Sequence, residues 1–142
     1  MISVNEADQL LDKHRLNLGS ETIPLRQAYG RILAQEVMSD REYPSFHRVA
    51  MDGIAINYED WMQGLRDYVL IGTQKAGESP MTLSKKGTCV KVMTGAVCPP
   101  GANSIIPVES VRWNDAIATV ETDEVNSWQH LHQKGSDYSK SM

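Results

Sequence analysis

A chain of 142 residues has room for one domain or two small modules. With 41% hydrophobic and 23% charged residues it has an ordinary globular composition, and no stretch approaches the roughly 20 apolar residues of a membrane span. The formal net charge of −4, with no basic stripe interleaved with aromatics, argues against a nucleic-acid partner, whose phosphates call for a basic face.

The first predicted element is a helix. Ser3 followed three residues later by Glu6 makes a capping box, and Val4, Ala7, Leu10 and Leu11 recur at helical spacing, with Asn17 and Gly19 expected to end it. The opening residues lack the basic start and apolar run of a secretory signal. Residues 21–25, branched and interrupted by Pro24, suit an edge strand. Arg26 to Tyr29 can form one helical turn closed by Gly30, and Ile32 to Val37 reads as an extended or strand segment. From about Ser39 the pattern changes to short apolar runs separated by Gly, Pro, Asn and Asp. The predicted strands are Val69–Ile71, Thr88–Val92, Ser104–Val108 and Ala116–Val120, with Asn114-Asp115 as a hairpin tip. The fold class expected is mainly β with an N-terminal helix (α+β).

Three polar turns are candidates for chemistry. In the stretch from Tyr43 to Ala55, Pro44 biases Tyr43 toward extended backbone, and Asp52-Gly53 sets a carboxylate beside a residue free to take positive φ. Such an aspartate either caps a turn or faces a ligand or metal. In the second stretch a strand runs into Thr94-Gly95, where backbone N–H groups and a hydroxyl can be aimed at an anion, although the Gly-Lys-Ser/Thr ending of a Walker loop is missing. The third, Lys134-Gly135-Ser136-Asp137, again puts a carboxylate just past a glycine.

His130 and His132 would share one side of a strand, but no third ligand follows at zinc spacing. Cys89 and Cys98 are too few for a disulfide framework and are expected to stay reduced in a cytoplasmic protein. No serine or cysteine sits in a recognisable nucleophile elbow.

Taken in order, these segments resemble the molybdopterin molybdenumtransferases, the MoeA/gephyrin family. The family's proline, aromatic and Ala-Met-Asp-Gly pattern is matched by Pro44, Phe46 and Ala50 to Gly53. Its Met-Thr-Gly-Ala and Pro-x-Gly-Ala are matched by Met93 to Ala96 and Pro99 to Ala102, and its Pro-Val-Glu by Pro107 to Glu109. The basic-x-Gly-x-Asp turn is similar to the stretch ending at Asp137, and Pro24-Leu25 with Ala28 to Ala34 resembles the family's opening.

The resemblance implies catalytic roles for Asp52, Thr94 and Asp137, cofactor contacts at Gly53, Gly95 and Lys134, and Asp52 as a ligand of Mg²⁺. It implies molybdopterin-AMP (adenylylated molybdopterin) and molybdate as substrates, and a homodimer in the full-length protein. It also implies a β-rich module at 39–127 inserted in an extended helix and strand module formed by 1–38 and 128–142. Three positions depart from the family: His47 for an acidic or amide residue, Val49 for a serine and Ile54 for a tyrosine. His132-Gln133-Lys134 is less basic than the usual arginine-rich run. The α/β domain that grips the pterin and a small C-terminal barrel are expected beyond this stretch, so the chain is expected to be a fragment that does not turn over alone. The alternative is a non-catalytic binding or scaffold module of the same fold.

Overall fold

A computed structural model of the chain describes residues 2–16 and 18–139, which divide into two units between Val37 and Met38. In the first, helix α1 spans Val4–Lys13. Its capping box forms as expected: the Glu6 N–H donates to Ser3 Oγ (3.3 Å), and the Ser3 N–H donates to Glu6 Oε2 (2.7 Å). The Ser3 N–H and the Ser3 hydroxyl (3.0 Å) both donate to the ionised carboxylate and lower the Glu6 pKa. The helix stops earlier than expected, with His14 as its C-cap. Asn17 lies outside the described residues, and Gly19, with φ +71°, falls well past the end. None of the helix's own residues is buried, so the stripe of Val4, Leu10 and Leu11 remains exposed.

The strands expected at 21–25 and 32–37 do not form. Each run has strand-like residues, but a strand exists only where a neighbour completes its hydrogen bonds. Instead, Leu25–Gln27 makes a short 3-10 turn, and the Arg31 N–H reaches the Ala28 carbonyl (3.1 Å) around Gly30, whose φ is +77°.

The second unit is built on a six-stranded sheet. In chain order its strands are β2 (Gly53–Ile56), β3 (Asp67–Gln74), β4 (Thr88–Val92), β5 (Ser104–Pro107), β6 (Val111–Asn114) and β7 (Ile117–Val120). They lie in the order β5-β2-β4-β3-β7-β6, and only β3 and β4 are parallel. A separate two-stranded ribbon pairs β1 (Arg48–Val49) antiparallel with β8 (Leu131–His132). A five-residue helix α2 (Tyr58–Met62) follows β2, capped where Asn57 Oδ1 accepts from the Glu59 N–H (2.8 Å). Residues 128–139, expected with the N-terminal module, hydrogen-bond within the second unit through β8 and the turn after it.

Apolar side chains leave this sheet on both faces. Ile54, Ile56, Tyr68, Cys89 and Ile106 pack with Val111, Ala118, Val120 and Val125 in one cluster. Val49, Ala55, Val90, Val92 and Ile105 pack with Ala96, Cys98 and Ala102 in another. Two-sided burial explains why β2 and β4 read as nearly unbroken apolar runs rather than clean alternation. Burial pushes the Cys89 thiol up to about 12 and Cys98 up to about 11, so both serve as packing residues rather than nucleophiles. Val49 and Ile54, two of the departures from the family pattern, are buried in these clusters.

Gly53 departs from its expected conformation. Its φ is not positive, and the glycine is required by space: a Cβ there would stand 2.0 Å from the Ile106 carbonyl oxygen on β5. The Gly53→Ala substitution is expected to destabilise the second unit by about 3 kcal/mol or more, because backbone rather than a flexible side chain must give way. Urea unfolding followed by circular dichroism measures it, and a loss below about 1 kcal/mol would mean that β2 and β5 separate easily.

Candidate active-site wall

The polar turns of Thr94 and Asp137 dock on the segment from Tyr43 to Gly53, which carries the third at Asp52. The Thr94 turn is held from one side: the Val49 N–H donates to the Ala96 carbonyl (2.9 Å), and the Gly95 N–H donates to the Val49 carbonyl (2.9 Å). The Asp137 turn is held further back. The Gly135 N–H reaches the Pro44 carbonyl (2.9 Å), and the Asp137 N–H reaches the Tyr43 carbonyl (2.9 Å). Between these contacts the Ala50 N–H donates to the His130 carbonyl (2.9 Å), continuing the pairing of β1 with β8.

Asp52 and Thr94 meet directly. Asp52 Oδ1 accepts from both the Thr94 N–H and the Thr94 hydroxyl, each at 2.6 Å. These bonds, the hydroxyl first, hold the Asp52 carboxyl below the usual aspartate range, and the charge of Lys91 adds to the effect. Asp52 is thereby an exposed, ionised acceptor at the mouth of a buried strand.

The Thr94 loop does not form the anion cradle that its spacing suggested. Met93 to Ala96 closes as a turn with the Ala96 N–H on the Met93 carbonyl (3.0 Å) and Gly95 at φ +87°, the conformation a type II turn requires at its third residue. The N–H groups of Thr94, Gly95 and Ala96 are therefore all spent inside the protein. What faces outward is acceptor in character: the second oxygen of Asp52 and the lone pairs of the Thr94 hydroxyl.

Asp137 does not reach this pair. Its Oδ1 accepts from His132 Nε2 (2.6 Å), while Arg48 Nη2 lies 3.2 Å from Nδ1 of the same ring. Lys134, an expected cofactor contact, has its ammonium on Glu42 (2.7 Å), and its backbone N–H donates to His47 Nδ1 (3.1 Å). The His47 ring also tilts against Trp128 at 4.8 Å. Ala50 and residues 130–136 line an open cleft of about 620 Å³. Gly53, an expected cofactor contact, is buried between β4 and β5.

Sequence reasoning missed Arg48 and His132 as partners of Asp137. It weighed His132 as half of a two-histidine clip, which needs strand alternation through His130. That residue instead has φ +54° and lies outside β8. The available signal was the five-residue spacing of His132 and Asp137 about the Gly135 turn. A divalent cation would find one carboxylate at Asp52, with Oδ1 already accepting two hydrogen bonds. Among the described residues no group of three or more His, Cys, Asp and Glu can hold a metal ion. These residues do not by themselves supply a ligand set for Mg²⁺.

Comparison with known proteins places these features in a family. Residues 2–142 match the MoeA N-terminal region (domain I and II). A molybdopterin molybdenumtransferase from Synechocystis sp. is 37% identical over 142 residues, covering 96% of this chain and 35% of that protein. Molybdopterin molybdenumtransferase 2 of Mycobacterium tuberculosis is 30% identical, covering 96% of this chain and 35% of its own length. Among solved structures, the molybdopterin biosynthesis MoeA protein from Pyrococcus horikoshii OT3 superposes with a TM-score of 0.76 at 32% identity, covering 97% of this chain and 37% of that one. The chain spans about a third of the length of the curated relatives it matches.

The depressed Asp52 pKa has a signed consequence. Its contribution to stability is fully present above the unfolded aspartate value and is lost as pH falls through the lower folded value. Thr94→Val removes the hydroxyl donor and keeps the N–H, so the Asp52 midpoint is expected to move up toward the ordinary aspartate range. Carbon-detected NMR titration of the carboxyl reads this directly, and a midpoint that does not rise contradicts the assigned bond.

Proposed function

We propose that this chain, which belongs to the family of the MoeA N-terminal region (domain I and II), forms one wall of the cleft of a molybdopterin molybdenumtransferase, with the other walls supplied by sequence outside it. The substrates are adenylylated molybdopterin and molybdate, and the reaction places molybdenum on the pterin dithiolene during molybdenum cofactor biosynthesis. The full protein works in the cytoplasm as a homodimer. The relatives' names and the order of shared motifs support this reading.

The observation that carries it is the Asp52–Thr94 pair. Both residues belong to the motifs that define the resemblance, and the fold joins them across 42 positions of sequence by two bonds of 2.6 Å. An ionised acceptor pair suits the N–H and O–H donors of a bound ligand, or the positive charge of one, better than its phosphate oxygens. Phosphate binding in this reading falls to groups outside the chain. Asp52 acts as an acceptor that orients its ligand, since a carboxyl held ionised is a poor proton donor near neutral pH. Asp137 faces the same ligand from the neighbouring turn.

The test joins the chain to its downstream sequence and measures molybdate-dependent cofactor formation. Asp52→Ala is expected to slow it about 100-fold and Thr94→Ala about tenfold, through lost orientation and a lost hydrogen bond to a charged group. If neither change slows an otherwise active protein, the roles are wrong and a binding or scaffold module is the better reading. The 142-residue chain by itself is expected to show no turnover, and activity there would remove the need for other walls.

A further inference from the structure

We propose that His132 is a positioning residue for Asp137, and that Arg48 fixes the ring in the single tautomer able to do this work. The inference rests on the reading above for the role of Asp137, and not for the arrangement itself. Arg48 and His132 are a registered pair across β1 and β8, so the backbone ladder places their side chains together. A guanidinium has only donors. With Arg48 Nη2 3.2 Å from His132 Nδ1, that nitrogen must accept, which leaves the proton on Nε2. Nε2–H then points at Asp137 Oδ1, 2.6 Å away. The line Arg48, His132, Asp137 therefore has one direction of donation throughout.

Around it, the Ser136 hydroxyl lies 3.5 Å from the same carboxylate oxygen. The Asp137 N–H is tied to the Tyr43 carbonyl, so the carboxylate swings from a fixed point. His132 also lines the cleft, and its bond takes up Oδ1 of Asp137. A second guanidinium beside Arg48 would repel it, whereas a neutral imidazole accepts from one side and donates to the other.

Long-range proton–nitrogen NMR of the nitrogen-15-labelled chain, at about pH 8 where imidazoles are ordinarily neutral, tests the arrangement. A His132→Gln sample assigns the signals by their loss. The result expected is an unprotonated Nδ1 and a protonated Nε2 in the unmodified chain, and mixed tautomers in Arg48→Met. Protonation at Nδ1 in the unmodified chain overturns the proposal, as does an Arg48→Met spectrum unchanged from it.

A second arm uses the chain joined to its downstream sequence. His132→Gln keeps a donor near the Nε2 position, and His132→Asn falls short of it. The Asn variant is expected to lose about tenfold in kcat with KM within about twofold, and the Gln variant to recover most of that loss. Equal loss in both overturns the positioning role. Should the tautomer hold while Asp52 and Thr94 variants remain fully active, the functional reading fails and the Arg48–His132 lock stands.

Discussion

Main-chain hydrogen bonds from Tyr43 to Gly53 hold the Thr94 and Asp137 turns in the second unit. Along this segment the Tyr43 and Pro44 carbonyls receive the Asp137 turn, Val49 exchanges bonds with the Thr94 turn, and Ala50 bonds to His130. The Asp52 carbonyl accepts from the Val108 N–H (3.2 Å), which ties the segment to the end of β5. Each contact uses backbone groups that need a partner once water is excluded, so the segment cannot shift without orphaning several of them. Side-chain chemistry is then added to a frame already determined by the backbone.

Two consequences of this frame differ in kind. At Thr94 the backbone amides are used up in making the turn, so the turn presents oxygen rather than N–H. At Asp137 the amide is also used, but the carboxylate is left to side chains, and His132 takes it. The same motif type, a carboxylate or hydroxyl beside a glycine, thus yields an acceptor pair in one place and a directed chain of donors in the other. Neither outcome follows from the local residues, because both depend on which carbonyls of the 43–53 segment lie opposite.

Much of the sheet was legible because its strands carry their own evidence. Thr88 to Val92 is a branched apolar run between turn residues, and β4 spans those residues; Ser104 to Ile106 and Ile117 to Val120 behave the same way. The parallel pairing of β3 with β4 was not legible, since it is set by the path of the connection between them rather than by either run. β6 was hidden by its exposed polar residues, Arg112 and Asn114, and β2 by a reading that treated Asp52-Gly53 as a flexible turn. In the N-terminal unit, Glu21 to Leu25 and Ile32 to Val37 have the right residues without a neighbouring strand. The identity of Asp52, Thr94 and Asp137 came from motif order, while their contacts required the fold. The Arg48–His132 pairing in particular joins positions 84 apart, which no local pattern reports.

The tight approach at Gly53 has a consequence for recognition. Asp52 stands one residue before a strand position sealed between two neighbours, which limits where its backbone can go. Its carboxylate is also clamped by Thr94. Folding has already removed most of its motional freedom, and a ligand meeting this group loses little further entropy on the protein's side. Such a surface favours capture without rearrangement of the protein.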